Sequence, residues 1–417
     1  MPLELVHPVD TEDLEGWSRQ LMMTLMGDVH GEEFTDGVER RRWVLEPART
    51  WGARERGHWV GTLATFGRTI TVPGPDGTAV ELAADALTGV SVAATHRRRG
   101  LLTTMITQSL QAAADRGDAL SMLVAAEWPI YGRFGYAPAV DAAGYTFRPR
   151  RSGGVAGADT HCIRPVDLDE ARALAPAIFD SARRRRAGQV QRLPRWWDQQ
   201  FGREGAAPLP SMRASWFVHD GPDGPDGMLA WRRNRDFDLY GPLAAVDLHE
   251  FFAAGPEAYR DQWGYLAAMD VVEEINIHQA ALDEQVRFLL ADGRALETTS
   301  TFDFVWLRML DVPAALSART YGVSDSIVLD VVDTAGPGYA QGRYVLVSDD
   351  TGSHCTRTDV PADLRLDQRD LASIYLGGHR LREVAVAGRV EELTPGSLDR
   401  ASAMFATALL PVNQTGF

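Results

Sequence analysis

The chain contains no lysine: all 42 of its Lys and Arg residues are arginine. This absence excludes acetylation of the protein's own lysine side chains as its activity. Codon bias in a GC-rich genome explains such a composition without reference to function. The missing lysine therefore limits the chemistry of the chain but does not identify it.

Cysteine is scarce, and long apolar runs are absent. Cys162 and Cys355 lie far apart in the sequence, which predicts two free thiols and matches neither a disulfide nor a zinc-ligand pattern. No apolar run approaches the roughly 18 residues of a membrane span. The acidic N-terminus, MPLELVHPVDTEDLEGW, lacks the apolar core of a signal peptide. We therefore expect a cytoplasmic protein with no membrane partner and no metal.

Positive charge is also in deficit, since the formal net charge is −15. General nucleic-acid binding needs a basic surface, so this balance argues against a nucleic-acid partner. It favours a cationic small molecule or peptide. The length of 417 residues and a hydrophobic content of 45% indicate two to three globular domains.

The most informative stretch is Val90–Pro138. An apolar run over Leu87–Ala93 ends in the arginine-rich loop Thr95–Gly100, and a helix follows whose apolar residues recur at helical spacing. A loop at a helix N-terminus offers free N–H groups, a positive dipole end and guanidinium groups, which together suit a pyrophosphate. An arginine triplet is more often a solvated charge run. Its position between a strand end and a helix start favours the phosphate loop.

Two motifs in this stretch resemble one superfamily. Arg97-x-x-Gly100 resembles the acyl-CoA loop of the GCN5-related N-acetyltransferases, and Ile130–Tyr136 (IYGRFGY) resembles their tyrosine-containing turn. The fuller string, VSVAATHRRRGLL joined to IYGRFGYAP, is similar to the enhanced-intracellular-survival (Eis) family of actinobacterial acetyltransferases. That resemblance implies an acetyl-CoA-dependent N-acetyltransferase assembled as a homohexamer.

The resemblance also implies a domain organisation of α/β (α+β) class. Residues 1–150 form a catalytic acetyltransferase domain, 151–298 a degenerate acetyltransferase-like domain, and 299–417 a sterol-carrier-protein-like α+β domain. A strand near Cys162 followed by an acidic helix start repeats the opening of the chain, but no second Arg-x-x-Gly loop appears. Within the second unit, Leu248–Trp263 is predicted to be helical.

The cofactor site follows from the superfamily pattern. Backbone groups at the strand end hold the acetyl carbonyl and pantetheine, the arginine loop holds the pyrophosphate, and the end of the next strand faces the pantetheine. Glu127 has a plain strand-end carboxylate as its alternative reading. The predicted acetyl-CoA residues are Val90, Ser91, Val92, Arg97, Arg98, Arg99, Gly100, Leu101, Leu102, Thr103, Ala126 and Glu127.

Two residues are predicted to carry the chemistry. Tyr131 is the candidate general acid for the thiolate leaving group, because a phenol with a pKa near 10 gives up its proton at low cost. A packed aromatic is the common alternative for such a residue, and Tyr136 is the structural tyrosine of the pattern. Eis proteins use their own C-terminal carboxylate as the base, which here belongs to Phe417.

The resemblance implies a large acidic pocket and an aminoglycoside-like polycationic acceptor. Asp28 and Trp43 are the candidate substrate residues, and Glu32 and Glu33 are further acidic candidates. A protein or peptide lysine is the alternative acceptor, and a non-catalytic lipid-binding or scaffold protein is the alternative of another class. The run Arg183–Arg186 has two interpretations, a phosphate- or nucleic-acid-binding patch or a solvated helix end, and the favourable C-terminal end of the helix dipole favours the solvated helix end.

Overall fold

The computed structural model describes residues 3–202, 213–235 and 243–417. Its strands are β1 Glu4–Val6, β2 Thr50–Glu55, β3 His58–Pro73, β4 Ala79–Val92, β5 Leu120–Val124, β6 Ala137–Phe147, β7 Ile163–Val166, β8 Ser215–Gly221, β9 Gly224–Arg235, β10 Ala244–Ala253, β11 Val272–Ala280, β12 Leu296–Met309, β13 Asp325–Val332, β14 Gly342–Asp349, β15 Gly352–Arg357, β16 Leu364–Asp367 and β17 Val390–Glu392. Its helices are α1 Leu14–Thr24, α2 Gly31–Val44, α3 Leu101–Asp115, α4 Trp128–Tyr131, α5 Pro149–Ser152, α6 Leu168–Arg183, α7 Pro194–Phe201, α8 Pro256–Ala267, α9 Val312–Ala318, α10 Gln368–Ile374, α11 Leu381–Val386 and α12 Ser397–Phe405.

One twelve-stranded sheet runs through the first and second units of the chain. Its strand order is β1-β2-β3-β4-β5-β12-β6-β11-β10-β9-β8-β7. From either edge the pattern is the same: four antiparallel strands are followed by a parallel fifth, which is β5 beside β4 on one side and β11 beside β10 on the other. The two units are thus copies of one architecture placed side by side.

The two copies exchange their last strands at the centre of the sheet. β6 follows β5 in the chain but pairs with β11, whereas β12 follows β11 and pairs with β5. β6 and β12 also pair with each other along most of their lengths. The domain boundary predicted at residue 298 falls inside β12. This strand follows the second unit in the sequence, but it pairs with β5 of the first unit.

The predicted helix Leu248–Trp263 is wrong in its first half. Residues up to Ala253 continue β10, and α8 begins only at Pro256. Glu250 and Phe252 are both buried, at positions two apart, which is the spacing of one strand face. Ala254 and Gly255 separate the strand from the helix, and Pro256 begins α8, since proline suits the first helical turn.

The C-terminal unit is a five-stranded sheet, in the order β15-β14-β13-β16-β17, with helices packed on it. It is fastened to the first unit by a fully buried ion pair, in which Arg308 Nη2 on β12 lies 3.1 Å from Asp333 Oδ2. Gln368 on α10 adds a hydrogen bond to the carbonyl of Gly135. The C-terminal unit therefore contacts and stabilises the aromatic turn that precedes β6.

The Arg183–Arg186 run is not a simple solvated helix end. Arg183 is buried and lies 2.6 Å from Glu81 on β4, so it joins α6 to the first unit. Arg186 donates to the carbonyl of Leu410 and pairs with Asp283. The run therefore links the second unit to the first unit and to the C-terminal segment, because its carboxylate and carbonyl partners lie there.

Across the described ranges, no helix has both the length and the apolarity that crossing a membrane requires.

Candidate active site

β4 and β5 separate where the candidate site begins. Their parallel pairing ends at Leu87 and Leu123, while β4 continues to Val92. A bulge lies in this free part of β4, since its register with β3 shifts between Thr88 and Ser91. Gly89 there has a φ of +60°, a conformation that suits glycine. A bulge redirects backbone groups away from the ladder, here toward the gap between the two strands.

The arginine loop follows β4 and ends in a left-handed turn. Gly100 caps α3 with a φ of +81°, and no side chain caps the helix, so its first N–H groups remain available. Arg98 also has a positive φ, +63°. The loop is tied down by Glu55, which accepts from Arg99 Nη2 at 2.8 Å and lies 3.0 Å from His96 Nε2. Hydrogen bonds from Arg99 and His96 lower the pKa of Glu55 to about 2.

The gap and the loop together form a cavity of about 410 Å³, the loop cleft. Eleven of the twelve predicted cofactor residues line it. Arg99 does not, because its guanidinium turns to Glu55. Sequence reasoning missed the other lining residues, which come from the end of α1, the loop and the aromatic turn: Thr24, Leu25, His96, Ile130 and Arg133.

Tyr131 lines the loop cleft at the end of α4. Its hydroxyl has no hydrogen-bond partner among the residues that the structure describes. Burial, and then the charge of Glu127, raise the pKa of Tyr131 to about 12. Tyr136 differs, since it is buried away from the cleft and its hydroxyl lies 2.6 Å from Ser121 Oγ. Of the two tyrosines, only Tyr131 faces the cleft.

The C-terminal segment runs along the second unit. Asn413 is fully buried, and its Oδ1 accepts from the N–H groups of Val190 and Thr415 at 3.1 and 3.2 Å. Gln414 Nε2 donates to the carbonyl of Phe251 at 2.8 Å. This contact lies beyond Leu248, where the parallel pairing of β10 with β11 has ended. The tail therefore lies against the gap of the second unit that corresponds to the loop cleft of the first.

Arg192 fixes the last residues. Its Nε donates to Thr415 Oγ1 at 3.0 Å, and its Nη2 donates to the carbonyl of Gln414 at 3.1 Å and to Glu250 at 3.0 Å. The Arg192 and Glu250 side chains are almost completely buried, and burial lowers the pKa of Arg192 and raises that of Glu250. The guanidinium also lies 3.9 Å from the ring centroid of Trp196. The segment before Phe417 is thus rigidly held.

Phe417 lines a different cavity from Tyr131. This tail cavity, of about 550 Å³, lies between β3, the end of α2 and α7. It shares three lining residues, Val44, Phe66 and Gln199, with a second space of about 440 Å³, the helix cavity. The helix cavity reaches Thr88 and Gly89, directly before Val90 of the loop cleft. The tail and helix cavities are therefore neighbours, and the helix cavity contacts β4 immediately before the residues that line the loop cleft.

The two predicted substrate residues do not line these cavities. Asp28 is exposed and caps the turn before α2 by accepting from the N–H of His30 at 2.8 Å. Trp43 is half-buried and lies beside, not in, the walls of the helix cavity. Glu33, one of the further acidic candidates of the sequence, does line the helix cavity. No motif marks the other wall residues, because they come from separate elements: Trp17, Leu21, Gly37, Arg40, Arg41, Val44, Leu45, Phe66, Thr88, Gly89 and Gln199.

One cluster of possible metal ligands occurs in the described part of the chain. The ligand atoms of Cys162, His219 and Asp261 lie within 4.8 Å of one another. His219 already contacts Asp226 and Asp261, at 2.5 and 3.2 Å. An imidazole between two carboxylates accounts for this arrangement without a cation, and the cluster is remote in sequence from the loop cleft.

Comparison with known proteins assigns the family. Acetyltransferase (GNAT) domain models match residues 6–139 and 188–309, and a sterol carrier protein domain model matches residues 312–413. N-acetyltransferase Eis of Mycobacterium tuberculosis is 35% identical over 377 residues, which are 88% of this chain and 87% of that protein. The chain belongs to the Eis family of N-acetyltransferases.

Other relatives agree with the assignment. An uncharacterized N-acetyltransferase of Streptomyces avermitilis is 34% identical over 416 residues, 97% of each chain. The crystal structure of Eis1 from Mycobacterium abscessus superposes with a TM-score of 0.86 at 29% identity and covers both chains fully. A GCN5-related N-acetyltransferase from Anabaena variabilis shares the fold, with a TM-score of 0.82 at 18% identity over both whole chains.

These matches confirm the predicted fold, two acetyltransferase units followed by a sterol-carrier-like unit. They also confirm the predicted class of enzyme, an acyltransferase that uses an acyl-CoA. The loop cleft in the first unit is where the Eis-family motif residues gather. The second unit has no arginine loop, since β10 passes to α8 through Ala254 and Gly255 alone.

Proposed function

We propose that the protein is an acetyl-CoA-dependent N-acetyltransferase that transfers the acetyl group directly to a primary amine. The observation that carries this proposal is the loop cleft. It joins the bulged end of β4, the uncapped N-terminus of α3 and the Tyr131 hydroxyl in one cavity. Arg97 and Arg98 face the cleft and suit the pyrophosphate, and N–H groups at Val90–Val92 suit the thioester carbonyl.

In the proposed reaction the neutral amine nitrogen attacks the thioester carbonyl, a C–N bond forms and the C–S bond breaks. N–H donors of β4 stabilise the negative charge that develops on the carbonyl oxygen. Tyr131 gives its proton to the departing thiolate. Its raised pKa keeps the phenol protonated until that step. The amine proton passes to the Phe417 carboxylate through water, since the tail and helix cavities separate that group from the cleft.

The acceptor is the less constrained part of the proposal. The family resemblance suggests an aminoglycoside-like polycation, and a protein or peptide lysine is the alternative. A non-catalytic lipid-binding or scaffold role is disfavoured by the intact arginine loop and by the free hydroxyl of Tyr131. In line with the resemblance, we propose a cytoplasmic homohexamer, for which light scattering would give the mass.

The direct test combines binding with turnover. Titration calorimetry with acetyl-CoA is expected to show binding, and a panel of amines is expected to release CoA, measured with a thiol reagent. The panel contains an aminoglycoside, a lysine peptide and simple arylalkylamines. Absence of acetyl-CoA binding would overturn the enzyme assignment. Release of CoA without any acetylated amine, checked by mass spectrometry, would contradict amine transfer.

A further inference from the structure

Arginine dominates the charged lining of the two cavities that lie between the loop cleft and the chain terminus. Arg40 and Arg41 line the helix cavity, and Arg68 and Arg195 line the tail cavity. The carboxylates on the same walls are Glu33, Glu46 and the chain terminus. Glu46 is already engaged, because its Oε2 lies 3.4 Å from Arg49 Nε. The walls therefore carry an excess of positive charge.

Arg68 shows this excess most clearly, since it is only 8% exposed. Among the described residues, no carboxylate lies within 4.0 Å of its guanidinium. Its neighbours are the ring of Phe66, 4.8 Å from Cζ to the centroid, and the Gly67 carbonyl at 3.5 Å. Burial, together with the charges of Arg49 and Arg195, lowers the pKa of Arg68 to about 10, although Glu46 opposes the shift. A buried cation that no carboxylate contacts is unfavourable unless an anion joins it.

Arg40 and Arg41 on α2 are two further cations that no carboxylate contacts in the described ranges. Both guanidinium groups lie beside Gly37, where an added Cβ would stand 3.3 Å from Arg41 Nη1 and 3.6 Å from Arg40 Nη2. Arg41 Nη2 donates to Met22 Sδ at 3.0 Å, a weak acceptor. In the described ranges neither residue has a carboxylate within 4.0 Å. Burial, and then the charge of Arg40, lower the pKa of Arg41.

The remaining walls are mostly apolar and include four aromatic rings. Trp17, Leu21 and Phe66 line the helix cavity, and Phe66, Trp196 and Phe417 line the tail cavity. Such surfaces favour a ring or an aliphatic body, and paired guanidinium groups favour a carboxylate or phosphate. A polycation would meet like charge here, which makes its binding unfavourable.

We propose that the acceptor of this acetyltransferase is an amine with an apolar, ring-sized body and an anionic group, which Arg40 and Arg41 recognise. The inference rests on the proposed function and names its substrate class. Arg68 and Arg195 line the same cavity as Phe417, whose terminal carboxylate is a second anion available to them. Arg40 and Arg41 line the helix cavity, which Phe417 does not line, and they are the residues to test.

The experiment compares three acceptors of one size: para-(aminomethyl)benzoate, para-methylbenzylamine and para-xylylenediamine. They carry an anionic, a neutral and a cationic substituent. We expect the kcat/KM for the benzoate to exceed that for the neutral amine by about tenfold, with the diamine lowest. Added salt is expected to reduce the preference, because salt screens partly exposed charges.

Arg40→Gln/Arg41→Gln is the test variant, and Arg42→Gln is its matched control. Arg42 is the next residue of the same helix, but it pairs with Glu39 and lines neither cavity. We expect the ratio of the benzoate kcat/KM to the neutral kcat/KM to fall toward one in the double variant and to persist in the control.

The outcomes distinguish failure of the substrate class, failure of the recognising residues and failure of the proposed function. If the neutral amine is acetylated but the benzoate is no better, or the diamine is preferred, the proposed substrate class is wrong and the acetyltransferase assignment stands. If the control loses the preference as fully as the double variant, recognition by Arg40 and Arg41 is wrong. If no amine is acetylated, the proposed function fails and this inference fails with it.

Discussion

Arg192 Nε donates a 3.0 Å hydrogen bond to Thr415 Oγ1 across 223 residues of sequence. Both groups are buried, and the arginine also pairs with Glu250. A residue of the second acetyltransferase unit thereby holds the segment that ends in Phe417. The degenerate unit thus fixes the terminus that we propose as the base, and the tail covers the gap between its own β10 and β11.

Thr415→Val tests this positioning. The isosteric change leaves Arg192 Nε without its acceptor, which is expected to lower the free energy of unfolding by about 1–3 kcal/mol. Movement of the terminus is expected to lower kcat by about tenfold or more, with little change in the KM for acetyl-CoA. Thr415→Ser restores the hydroxyl and should restore kcat. A variant with reduced stability but unchanged kcat would assign the contact a structural role alone.

Tyr131→Phe tests the general acid. We expect kcat to fall by about a hundredfold while the Kd for acetyl-CoA, measured by calorimetry, stays within about twofold. Tyr136→Phe is the matched control, because its hydroxyl bonds Ser121 inside the core and not the cleft. That variant is expected to lose stability and retain kcat. Equal kcat for wild type and Tyr131→Phe would remove the acid role.

The raised pKa of Tyr131 predicts a pH profile. A phenol with a pKa of about 12 remains a proton donor throughout the ordinary alkaline range. Loss of the acid should therefore begin only above roughly pH 10, the pKa of an ordinary phenol. We expect kcat at saturating substrates to show no alkaline decline below that pH. A decline centred near pH 9 that disappears in Tyr131→Phe would contradict the raised pKa.

Variants of Arg98 and Arg99 distinguish a direct contact with acetyl-CoA from an indirect effect through the shape of the arginine loop. Arg98 lines the cleft, whereas Arg99 is engaged by Glu55. We expect Arg98→Gln to raise the Kd for acetyl-CoA by about tenfold or more, with a reduced salt dependence. Arg99→Gln is expected to raise the Kd less and to leave the salt dependence unchanged. If calorimetry gives the same Kd and the same salt dependence for both variants, Arg99 contacts the cofactor as directly as Arg98 does.

The sequence was sufficient to predict most walls of the loop cleft, because that cavity is local. Val90, the arginine loop, α3 and Tyr131 lie in one continuous stretch, so the strand–loop–helix order alone brings them to one cleft. The exception is Arg99, which the motif includes but which pairs with Glu55 from β2, an element that the motif does not contain.

The rest of the site depends on packing between distant elements. No sequence motif marks Arg40 and Arg41, and only the approach of α7 and β3 makes them walls of a cavity. The strand exchange of β6 and β12 is likewise invisible, since both pair across long sequence separations. The prediction of a helix over Leu248–Trp263 is wrong for the second half of β10, because the apolar residues of this range also fit a helical period.

We propose that the Phe417 carboxylate is the base that completes the site of the first unit. Adding a single glycine after Phe417 displaces that charge while leaving the contacts of Asn413, Gln414 and Thr415 in place. The extended protein is predicted to keep its thermal stability and its Kd for acetyl-CoA but to lose kcat by about a hundredfold. An extended protein with wild-type kcat would contradict the account.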